Sequence, residues 1–87
     1  MINQETDSYV VLSPGGHYHD WATKGTFIKS NQYAVMRFSA YTAWYNKARW
    51  TNSSKEIMLA LPAPAFVGDT YEIAQSVADD LNQQLKG

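Results

Sequence analysis

Two imidazoles two residues apart, His17 and His19, with the Asp20 carboxylate next along, are the side chains of this 87-residue chain closest to a reactive arrangement. On a strand, that spacing sends both rings to one side, the start of a metal site or of an acid–base pair. A centre of three or four ligands would have to borrow Asp7 or an acid from 56–87, and nothing in the spacing directs one there. Gly15-Gly16, just before, lacks the lysine, hydroxyl and helix of a phosphate loop, and no serine stands in a nucleophile elbow. The expectation is no metal, no cofactor and no catalytic residue, with 17–20 a partly exposed hairpin edge.

Binding is the other chemistry on offer. Six of the seven basic residues, Lys24, Lys29, Arg37, Lys47, Arg49 and Lys55, fall in one acid-free stretch, 24–55, which also holds Phe27, Tyr33, Phe38, Tyr41, Trp44, Tyr45 and Trp50. Residues 56–87 carry five acids against Lys86 alone, so the net charge of -1 hides a charge separation. A basic, aromatic segment is suited to an acidic counterpart. The candidate partner-binding residues are Lys24, Lys29, Arg37, Lys47, Arg49 and Trp50. Trp50 is the sharpest of them: if the central helix reaches it, the indole lies opposite the apolar stripe, exposed and flanked by Lys47 and Arg49. If the helix stops at Arg49, the ring folds back onto the core. For Lys24, Lys29 and Arg37 the competing structural role is a charged strand edge that resists aggregation.

Positioning these residues falls to elements readable from periodicity and turn chemistry. Tyr9-Val10-Val11-Leu12 predicts a strand, stopped by Ser13-Pro14-Gly15-Gly16, with a hairpin partner somewhere between 17 and 29, where Thr26-Phe27-Ile28-Lys29 has strand propensity. Tyr33–Phe38 extends as a third strand or leads directly into a helix. Ser39 is the expected N-cap of a helix over about 40–50 whose stripe is Tyr41, Trp44, Tyr45 and Ala48. Ile57-Met58-Leu59-Ala60-Leu61 reads as a central strand covered on both faces, followed by an extended connector through Pro62 and Pro64 to about Gly68. A last amphipathic helix, about 70–86, has Asp69 as cap, Glu72 closing a capping box and Gly87 as terminator. The expected fold class is α+β, a small antiparallel sheet of three or four strands packed against two helices.

Length and composition bound the rest. A chain this short supports one domain, here 1–87 with 1–7 as a flexible N-terminal tail, and 45% hydrophobic against 17% charged residues is a folding composition. Without cysteine there is no disulfide, thiol nucleophile or thiolate metal site. Met1–Asp7 is polar and does not read as a secretory leader, and no apolar run approaches the ~20 residues of a membrane span, so a cytoplasmic location is expected.

The order strand, glycine turn, aromatic strand, then Ala34 with Arg37-Phe38-Ser39 opening a helix that carries Ala43, resembles small phage and prophage accessory proteins of β-β-α type, anti-CRISPR proteins among them, over about residues 9–48. That resemblance implies a small non-catalytic protein that binds and inhibits a host factor, and it supplies no functional residues. The expected function is therefore protein binding, as a monomer or weak homodimer, with the basic, aromatic face occluding an acidic or nucleic-acid-binding surface of a host protein. The alternative is a single-stranded nucleic-acid-binding domain, with rings stacking on bases.

Overall fold

The computed structural model describes residues 7–25 and 27–86. Along the chain run β1 (Tyr9–Leu12), α1 (His17–Lys24), β2 (Tyr33–Arg37), α2 (Phe38–Trp50), α3 (Ser54–Ala60), β3 (Phe66–Gly68) and α4 (Tyr71–Lys86). The strands form one antiparallel sheet in the order β1-β2-β3. The α+β class and the three-stranded antiparallel sheet agree with the expectation, but the described residues form four helices around the sheet where two were expected.

Ala34, Val35 and Met36, the inner residues of β2, are all buried, which marks a strand covered on both faces. Side chains alternate along a strand, so the register sorts whole rows. Val11, Val35 and Phe66 face α4, where Ala74 and Ala78 close the layer. Leu12, Ala34 and Val67 face the other way, into a core of Tyr18, Ala22, Ile28, Trp44, Ile57 and Leu61 from α1, α2, α3 and their connections. The sheet thus separates one covering helix from a layer of three. At the edge of the sheet, the Asn82 amide of α4 holds both backbone groups of Tyr9, accepting from its N–H at 2.6 Å and donating to its C=O at 3.1 Å.

The hairpin partner expected between 17 and 29 is helix α1. Tyr18, Trp21 and Ala22 recur at helical spacing and pack into the core, which outweighs the polar–aromatic alternation of 17–21. Gly15, at φ 93°, makes the turn into it. The double-covered central strand expected at 57–61 is helix α3 and the residue after it: Ile57 and Leu61, one turn apart, are buried, whereas Leu59 is 77% exposed. Ser53 caps α3, its hydroxyl accepting from the Glu56 N–H at 3.2 Å. The end of the expected 62–68 connector is strand β3, Phe66–Gly68, paired with Val35, Ala34 and Tyr33.

Two caps also differ. Helix α2 starts at Phe38, and Ser39 lies inside it; the Asp7 carboxylate reaches in instead, accepting from the Ser39 N–H and hydroxyl, both at 3.1 Å. At α4 the cap is Thr70, whose hydroxyl accepts from the Ile73 N–H at 3.2 Å, while Asp69 turns away to accept from Gln32 at 2.8 Å. Asp7, assigned from the sequence to the tail, is therefore tied to the fold. Residues 1–6 of that tail, Thr26 of the expected strand and Gly87 as terminator lie outside the described residues.

Candidate partner-binding face

Helix α2 is the scaffold of the site. Its apolar stripe is as the periodicity predicts, with Trp44 at 3% exposure and Tyr41, Tyr45 and Ala48 packed against the same core. The Trp44 indole N–H donates to the Ile57 carbonyl at 3.1 Å, locking α2 to α3, and Tyr18 meets Trp44 edge to face at 5.8 Å. The helix continues to Trp50, so that residue points away from the stripe and is 82% exposed. The Arg49 guanidinium lies between two rings, 5.5 Å from the Trp50 centroid and 6.0 Å from that of Tyr45.

The ladder extends onto α1. His17 tilts against Tyr45 at 5.5 Å, and Tyr41 stacks on Tyr45 at 5.9 Å. The Lys24 ammonium sits 4.5 Å over the Trp21 ring. Between α1, α2 and α3 a cleft of about 200 Å³ opens, lined by His17, Trp21, Trp44, Tyr45, Ala48, Arg49 and Ile57. This cleft depends on α1 being a helix, and the spacing of Trp21, four residues after His17, was the signal for it that the strand reading of 17–29 passed over.

Of the six predicted partner-binding residues, four share the three-helix layer. Lys24 closes α1, and Lys47, Arg49 and Trp50 occupy the last turn of α2, all exposed. Arg37 does not join them. It follows Val35 on the α4 side of β2, lies 5.8 Å over the Tyr9 ring and pairs with Asp7 at 3.4 Å. Lys29 sits in the loop before β2, which Gln32 ties to Asp69. Strand alternation, not visible in a charge count, thus sets Arg37 apart from the other members of the expected set.

His17 and His19 also part. On a helix, positions two apart point in opposed directions, and His17 is exposed while His19 is buried with Nε2 3.2 Å from the Lys29 carbonyl. Among the described residues no group of three or more His, Asp or Glu could hold a metal ion.

Electrostatically the two outer layers differ in sign. Exposed Lys24, Lys47, Arg49 and Lys55 stand against Asp20 and Glu56 on the three-helix side, whereas α4 exposes Glu72, Asp79 and Asp80. Among the described residues no carboxylate pairs with Lys24, Lys47, Arg49 or Lys55. Lys47 and Arg49 also complement the C-terminal end of the α2 dipole, a purely structural benefit that does not extend to the indole beside them. No helix of the described residues is long and apolar enough to cross a membrane. No protein-family model, curated protein or solved structure matches this chain.

Proposed function

We propose that this protein is a small non-catalytic binding module whose three-helix face, centred on Trp50, Arg49, Lys47 and Lys24, covers an acidic or nucleic-acid-binding surface of a protein target. The observation that supports this reading is Trp50 itself, an indole left 82% exposed and crossed by an arginine that no acid among the described residues neutralises. Burying such a ring would stabilise the fold by a few kcal/mol at ~25 cal/mol per Å², so leaving it in water forgoes a large gain. Tryptophan with arginine is the composition of an interface hot spot. The action is steric occlusion; encoded by a phage, such a module would inhibit a host defence or nucleic-acid-handling complex.

The test is comparative capture from host lysate with wild type, Arg49→Glu, Trp50→Ala and, as a control on the opposite layer, Glu72→Lys. The expected result is one partner lost with both face variants, by tenfold or more, and retained by the control. Retention of every partner by both face variants refutes the proposed face.

A further inference from the structure

Beside the exposed indole lies the cleft between α1, α2 and α3, and its dimensions and chemistry narrow what enters it. The walls are largely apolar: Trp21, Trp44, Tyr45 and Ile57, with Ala48 the small residue that leaves the space open. At about 200 Å³ it falls short of the ~300–1,000 Å³ of sites for whole small molecules. It exceeds the ~150 Å³ that admits a benzene ring. The Trp44 indole N–H is already committed to the Ile57 carbonyl, so the buried wall offers that donor to no incoming polar edge. The buried part of the wall, Trp44 and Ile57, therefore suits a hydrocarbon ring better than a nucleobase, whose edge needs partners. Arg49 is the charged residue among those lining the cleft, Lys24 lies over the ring of the lining Trp21, and no carboxylate is among the lining residues.

We infer that this cleft is the anchor pocket for one aromatic side chain of an acidic segment in the partner, an inference that rests on the protein-binding reading above. The ring fills the space beside Ala48, and carboxylates on either side of it meet Arg49 and Lys24. Anchoring of this kind places most of the affinity in one desolvated contact and leaves the surrounding charges to set orientation and association rate.

The test is a titration of the ¹⁵N-labelled full chain with two blocked peptides, Asp-Glu-Phe-Glu-Asp and Asp-Glu-Ala-Glu-Asp, and with an octamer of uridine. The expected result is that the phenylalanine peptide moves the Trp21 and Trp44 indole N–H resonances and binds at least tenfold more tightly than the alanine peptide. Ala48→Phe, which fills the cleft from within, is expected to erase that difference. The wild-type indole readout stands even if this variant folds poorly. Equal binding of the two peptides, or indole resonances that do not move, overturns the inference. Movement of the indoles by the uridine octamer at lower concentration than by the phenylalanine peptide overturns it as well and assigns the cleft to a base. In lysate capture, a partner kept by folded Ala48→Phe but lost by Arg49→Glu and Trp50→Ala refutes the anchor pocket alone. Retention by all three refutes the face with it.

Discussion

Tyr18 shows how one side chain carries both packing and a pH dependence. It is 1% exposed, its hydroxyl donates to the Pro62 carbonyl at 2.7 Å, and burial pushes its pKa from 10.0 up to about 12. A folded-state value above the unfolded one means that this contribution is complete below pH 10 and is lost as pH rises towards 12, because the unfolded chain releases the proton first. Tyr18→Phe is expected to cost about 1 kcal/mol at neutral pH, from the missing hydrogen bond, and to lose less stability than wild type between pH 10 and 12. Thermal melts across that range check it, and parallel alkaline decline in the two proteins would count against this account. At the same scale, the buried Trp44 was legible from its place on a helical wheel, whereas the exposure of Trp50 was not, because it turned on whether the helix reached that residue. The divergence of His17 and His19 was not, because two residues apart means one side on a strand and nearly opposite sides on a helix.

Among the elements, legibility followed length and periodicity. The two long helices, α2 and α4, repeat their apolar stripes over three or more turns and were readable to within a few residues. Short α1 and α3 span two turns each, too few to outweigh a local alternation at 17–21 or a continuous apolar run at 57–61. A cue for α3 was nevertheless present: Ser53 with Glu56 three residues later has the spacing of a capping box, although the Glu56 carboxylate here accepts from Thr51 at 3.2 Å. Ser53→Ala is expected to destabilise by about 1 kcal/mol and to speed amide exchange in the first turn of α3. Trp44→Ala, which removes the indole joining α2, α3 and Tyr18, should cost about 3–5 kcal/mol. Chemical denaturation ranks the two, and a larger effect at Ser53 would contradict the assigned role of the indole.

For the whole molecule, the sheet converts a charge separation along the chain into one across the fold, with acids on α4 behind and cations on the three-helix layer in front. Because Arg37 is held on the α4 side, single-stranded nucleic acid meets a short cationic patch and no continuous track. Titrating labelled RNA and single-stranded DNA is expected to give, at most, weak binding whose log–log salt slope is no steeper than about -3, the value for four phosphates neutralised by Lys24, Lys47, Arg49 and Lys55. A slope of about -4 would show Lys29 and Arg37 acting with them and would favour the nucleic-acid reading. That Arg37 parts from the other cations could not be read from the sequence, since it follows from which way β2 faces. The amide of Asn82 has a consequence of its own. By occupying the outward backbone groups of Tyr9, it shortens the rim along which another chain's strand would zip on, leaving those of Val11 on β1 and, across the sheet, the three-residue rim of β3.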